Sequence, residues 1–144
     1  MLFQNILVPV DLSHQSTRAF KVALDVVKKR NSKITLLTCI ENYVLNHLYY
    51  ASGISSQQLK KQLKVVKKHH EELKSLAEKN NISVKSKILT SESVVNDIVT
   101  FAKSRKHDLV IIGSHGRTGW DKWLLGSVAN GVSQKTKCPI LIVK

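Results

Sequence analysis

Acidic residues are scarce in this chain: Asp and Glu total 10 against 23 Lys and Arg, a formal net charge of +13 over 144 residues. Cysteine and proline number two each, and aromatics make up 6%. Two cysteines far apart, Cys39 and Cys138, with no CxxC, argue against a disulfide scaffold. Cys39 falls in a predicted strand and Cys138 just before one, so reduced, buried thiols in a cytoplasmic compartment are expected. No apolar run approaches the ~20 residues of a membrane span. Met1–Asp11 lacks the basic stretch of a signal peptide and reads as a first strand. What is present is ordinary: 42% hydrophobic and 23% charged residues, the balance of a globular chain rather than a disordered or collagenous one. The length predicts a single domain over 1–144 with a core that needs no staples.

The positive excess points to attraction toward nucleic acid, anionic surfaces or phosphorylated ligands, or to a solvated basic surface with no partner. Leu59, Leu63, Val66, His70, Leu73 and Ala77 share one helical face, with Lys60, Lys61, Lys64, Lys67, Lys68 and Lys74 largely off it. No Arg or aromatic residue interleaves these lysines, which favours the solvated face over nucleic acid. His69 and His70 are adjacent on that helix and point in different directions, an arrangement unsuited to a shared metal.

Hydrophobic patterning alternates between strand and helix. Phe3–Val10 is a short apolar run. Gln15–Arg30 has helical spacing, with Ser13 as its cap. Ile34–Ile40 reads as a strand, and Asn42–Ser56 as a mobile excursion. A basic amphipathic helix then runs to the stop at Asn80-Asn81. Ser83–Thr90 alternates as a strand, and Ser91-Glu-Ser93 opens a helix to Lys106. Asp108–Gly113 is almost continuously apolar, the mark of a strand buried on both faces. Ser127–Thr136 is a helix, and Ile140–Val143 closes the chain. This βαβαβαβαβ order predicts a doubly wound α/β fold, a five-stranded parallel sheet with helices on both faces.

Ligands of such sheets sit beyond the carboxyl ends of the strands. Two segments are placed there: Val8-Pro-Val-Asp11-Leu-Ser13, and Ile112-Gly113-Ser-His-Gly116-Arg117 continuing to Gly126-Ser127-Val128. Gly113 is expected to let the strand end approach a ligand, and Gly116 to permit a left-handed turn. Gly126-Ser127 opens a helix whose free N–H groups and dipole form an anion site. Neither the P-loop pattern nor G-x-G-x-x-G is present. Asp11 reads either as an acceptor for a ribose hydroxyl or as a helix cap. His115 reads as a general base or as a loop residue near phosphates, and Arg117 as a charge clamp. Trp120 and Trp123 would cover a ligand, face a partner or pack the loop.

The spacing Gly113-x2-Gly116-x9-Gly126-Ser127 resembles the nucleotide-binding signature of universal stress proteins. The opening ILVPVDLS, the closing CPILIVK and the element order are similar to that family as well. The likeness covers Phe3–Lys144. It implies an adenine nucleotide alpha hydrolase-like sheet with strand order 3-2-1-4-5. It also implies an ATP site, or one for AMP or ADP, with Mg2+ or Mn2+ on the phosphates. By the resemblance, Pro9, Val10 and Asp11 contact adenosine and Cys39 lines the adenine pocket. Ile112 and Gly113 touch adenine or ribose. Ser114, His115, Gly116 and Arg117 reach ribose and phosphates, and Gly126, Ser127 and Val128 hold the phosphates. Ser91 departs from the glycine common at its position. The resemblance further implies a homodimer through Ile140–Val143. No catalytic residue and no protein metal ligand is assigned. The expected function is nucleotide-dependent stress-response regulation with slow or no hydrolysis. The alternatives are a nucleotide hydrolase, an adenylyl-transfer enzyme or a basic nucleic-acid binder.

Overall fold

A computed structural model describes residues 3–28, 30–41, 52–116 and 124–144, with the backbone alone over 52–55. The elements in chain order are β1 (Asn5–Pro9), α1 (His14–Lys28), β2 (Lys33–Glu41), α2 (Ser52–Glu78), β3 (Val84–Ser91), α3 (Val94–Ser104), β4 (Leu109–Gly113), α4 (Ser127–Lys135) and β5 (Ile140–Val143). The strands form one sheet in the order β3-β2-β1-β4-β5. Every neighbouring pair is parallel.

Strand alternation divides the apolar residues between two cores. Ile6, Val8, Ile34, Leu36, Leu109 and Ile111 pack under α1 and the end of α2, with Phe20, Ala23, Leu73 and Ala77. Leu7, Leu37, Val110 and Ile112 pack on the opposite face against Ile98, Ala102, Ala129 and Val132 of α3 and α4. Residues of β1 and β4 are therefore buried on both faces, which explains their unbroken apolar sequence.

Helix ends follow local chemistry. Ser13 caps α1, its Oγ accepting from the Ser16 N–H at 3.1 Å. Ser93 caps α3, accepting from Asn96 N–H at 3.5 Å. Ser91 closes β3, so its departure from glycine does not disturb the start of α3. Beyond α2, Asn81 is left-handed at φ 58, which lets Ile82 N–H reach back to Ala77 O at 3.0 Å.

Most element boundaries shift by one or two residues from the sequence reading, as at the end of α3, Ser104 rather than Lys106, and one shifts by more. α1 ends at Lys28 rather than Arg30. The expected excursion over 42–56 is shortened, because α2 already starts at Ser52; residues 42–51, with Tyr49 and Tyr50, lie outside the described residues.

Candidate functional site: a cleft at the carboxyl end of the sheet

β1 is the strand at which the chain reverses direction across the sheet. Its ladder with β4 covers only Ile6–Leu109 and Leu7–Val110. Both strands run on beyond it. Val10 N–H donates to Leu37 O of β2 at 2.9 Å. By the alternation of a strand, the Pro9 nitrogen then faces β4, where it has no hydrogen to give. The sheet thus opens between β1 and β4 into a cleft of about 840 Å³, within the range of small-molecule sites.

Of the thirteen residues that the family resemblance implies for the site, twelve line this cleft: Pro9, Val10, Asp11, Cys39, Ile112, Gly113, Ser114, His115, Gly116, Gly126, Ser127 and Val128. Arg117 lies outside the described residues, as do Trp120 and Trp123.

The turn after β1 is tightly determined. Asp11 Oδ1 accepts from Ser13 N–H at 3.1 Å and from the Ser13 hydroxyl. Asp11 N–H donates to Ser16 Oγ at 3.2 Å. Between them Leu12 takes φ 70. Asp11 therefore serves the turn with Oδ1, while Ser13 supplies the helix cap. Oδ2 faces Gly116, where an added Cβ would lie 2.6 Å away.

The glycines work by close approach rather than by left-handed backbone, which corrects the expectation for Gly116: no described glycine has positive φ. At Gly113, which lines the cleft, the space a Cβ would take belongs to the Gln15 backbone of α1, 2.8 Å away, a packing reason for glycine there. At Gly126 an added Cβ would lie 2.9 Å from Ser114 O. Gly126 N–H donates to that same oxygen at 2.7 Å, and Ser114 N–H donates to Val143 O at 2.7 Å. Ser114, the first residue after β4, is thereby held to both β5 and the start of α4.

α4 begins at Ser127, with Gly126 at its N-cap and no side-chain cap bond. Its first intrahelical bond is Asn130 N–H to Gly126 O. The N–H groups of Ser127, Val128 and Ala129 precede it, and these residues line the cleft. An uncapped helix start with its positive dipole end at a cavity is an anion site in waiting. Beside it, Ser114 Oγ and His115 Nδ1 are 3.0 Å apart.

Cys39 is partly buried and free. Burial, and then the negative charge of Asp97, push its thiol up to about 12, so it stays protonated and unreactive near neutrality.

Two features escaped the sequence. The first is the wall supplied by α2, through Lys61, Gln62, Val65 and Val66. The second is a buried relay behind the cleft. Thr38 lines the cleft, and its hydroxyl donates to Val10 O at 2.7 Å. Its one hydrogen is thereby spent, so His70 Nε2, also at 2.7 Å, must be the donor to Thr38 Oγ1. Burial, and then the charges of His69 and Lys74, lower the His70 pKa to about 4. A His face-to-strand Thr match was visible only as a lone polar residue on an apolar helix face.

Comparison with known proteins agrees on the fold. A model of the universal stress protein family matches residues 2–144. A universal stress protein of Methanocaldococcus jannaschii is 30% identical over 145 residues, covering 99% of this chain and 83% of that protein. The universal stress protein UspA from Lactobacillus plantarum superposes with a TM-score of 0.88 at 20% identity, covering 100% and 99% of the two chains. A universal stress protein from Archaeoglobus fulgidus, solved in complex with dAMP, has a TM-score of 0.68 at 20% identity, with both chains fully covered at 100%.

Proposed function

The chain belongs to the universal stress protein family, and from that premise we propose that it binds an adenine nucleotide, ATP foremost, in the cleft between β1 and β4. It then acts as a cytoplasmic, single-domain regulator whose partner binding follows nucleotide occupancy. The observation that carries this reading is the uncapped start of α4 at the cleft wall. Three neutral N–H donors and the Ser127 hydroxyl suit phosphate oxygens, and Asp11 Oδ2 suits a ribose hydroxyl. The half-buried, apolar Cys39 side suits adenine. The dAMP-bound relative supports the same ligand class.

Mg2+ or Mn2+ would ride on the phosphates and offset their charge; among the described residues no three His, Cys, Asp or Glu side chains converge. Turnover, if present, is slow on this reading. His115 is oriented by a serine hydroxyl rather than a carboxylate, which leaves it a weakly directed base. The edge strand β5, with Leu141 40% exposed, supports pairing with a second copy.

Isothermal titration of ATP–Mg2+ tests the site. The wild type should bind one nucleotide per chain. Ser127→Pro deletes one N–H and the hydroxyl, and it suits the first helical position. Gly126, at φ −58 and ψ 152, already has the backbone that precedes proline. Affinity should drop about 10–100-fold, the scale of hydrogen bonds to a charged group, with Ser127→Ala intermediate and thermal stability kept. A well-folded wild type that binds no nucleotide would reject the proposal, and rapid ATP turnover would favour an enzyme instead.

A further inference from the structure

We propose that the outer face of α2 is a docking surface for the phosphodiester backbone of nucleic acid, engaged without reading sequence. Lys60, Lys61, Lys64, Lys67 and Lys68 are all exposed. At about 100° per residue they occupy one arc of roughly 120°, over a rise of about 12 Å. Val66, His70, Leu73 and Ala77, on the far side, are buried. Among the described residues none of the five lysines forms an ion pair, whereas Lys74, just beyond the group, bridges Glu71 at 3.1 Å.

The arrangement is unfavourable to the helix itself. Lys60/Lys64 and Lys64/Lys68 are like charges at i,i+4, and Lys61/Lys64 and Lys64/Lys67 at i,i+3, where they repel. The charges are segregated along the helix as well: five lysines fall within 60–68, while Glu71, Glu72 and Glu78 follow them. A surface shaped only for solubility needs no such crowding of one sign, so a partner that gathers the positive charge accounts for it better than solvation does.

Charge density selects the partner. Duplex DNA presents a negative charge every ~1.7 Å of axis, or about seven along the 12 Å of the stripe. An extended acidic peptide turns a side chain to one face every ~6.6 Å, or about two. A membrane surface is disfavoured because the apolar face that would insert is already packed on the sheet. The absence of arginine and aromatic residues, which in the sequence favours a solvated face, removes the rigid fork and the stacking platform of a sequence reader but not contact with phosphate, which lysine makes as a point charge.

The experiment is fluorescence anisotropy of the full chain with a labelled 20-base-pair duplex of random sequence, titrated across salt and without nucleotide. The reference is a variant with equal charge change elsewhere: Lys85→Gln, Lys87→Gln, Lys103→Gln and Lys137→Gln, all exposed positions. The stripe variant carries Lys60→Gln, Lys64→Gln, Lys67→Gln and Lys68→Gln. The slope of log affinity against log salt should shrink by about 3–4 in the stripe variant, near 0.9 for each phosphate that is no longer neutralised. In the reference variant it should change by less than about 1. Circular dichroism should show the stripe variant folded, since the four lysines are exposed and form no ion pair among the described residues. Equal loss of affinity in both variants would reduce the effect to net charge and overturn the proposal. So would absence of duplex binding by the wild type, or stripe-dependent binding to phosphatidylserine vesicles with none to duplex.

Discussion

His70 is 2% exposed and commits its Nε2–H to Thr38. In the unfolded chain it titrates at its ordinary value near 6.5, while in the fold burial holds it down to about 4. Between those values the unfolded state carries a proton that the folded state does not, so stability rises with pH across this window and falls on acidification. From pH 7 to pH 5 the loss is about 2 kcal/mol. His107, also lowered by burial, adds in the same direction. Urea unfolding of His70→Gln should show a distinctly flatter stability profile between pH 7 and 5, because the amide can still donate to Thr38 but takes up no proton. A profile as steep as wild type would remove His70 from this account. A second test at this scale concerns Gly116 and Asp11, whose Oδ2 would lie 2.6 Å from an added Cβ. Gly116→Ala should destabilise the wild type by about 1–2 kcal/mol, the usual cost of overpacking. In Asp11→Ala protein the same change should cost almost nothing. Denaturation midpoints of the four proteins in that cycle measure the coupling.

The elements differ in how openly the sequence announces them. β1 and β4 were legible because burial on both faces removes polar residues from the run, and α3 because Ser93 and the spacing of Val94, Ile98 and Ala102 agree. The first turn of α2 was not legible. A helix of 27 residues spans about 40 Å. The 9 residues of β2 span about 30 Å, so the helix must overshoot the sheet. Its first residues carry no period to read, and Lys61, Gln62, Val65 and Val66 further along form the cleft wall. The glycine spacing located the site, but the reasons for individual glycines lay in other segments, Gln15 against Gly113 and Asp11 against Gly116, which no local pattern contains. β5 was legible as a strand and as an edge. Among the described residues no strand pairs with its outer edge, beside the partly exposed Leu141, and such an edge is a template for another strand unless covered. Sedimentation velocity should therefore show the wild type as a dimer. Leu141→Lys, which places a charge at the seam, should shift it toward monomer with secondary structure unchanged; a wild type that sediments as a monomer at high concentration would refute the pairing.

At the scale of the whole molecule, a net charge of +13 acts on every anion, so the two anions proposed here need to be told apart by more than affinity. They are held by different physics. On the reading proposed above, the nucleotide's phosphates would meet neutral donors, backbone N–H groups at the start of α4 and the hydroxyl of Ser127, and these release no condensed counterions when they bind. The lysine stripe does release them from a duplex, about one for each phosphate neutralised. With about four to five phosphates neutralised, duplex affinity should fall about 10²-fold or more between 50 and 200 mM salt. ATP–Mg2+ affinity over the same range feels only the screening of the surrounding field, and should fall less than about tenfold. The stripe variant should then lose the steep dependence for the duplex while leaving the nucleotide isotherm nearly unchanged, because among its four positions none lines the cleft. If instead the two ligands weaken in parallel with salt, and the stripe variant weakens both, the cleft and the outer face of α2 form one electrostatic site rather than two.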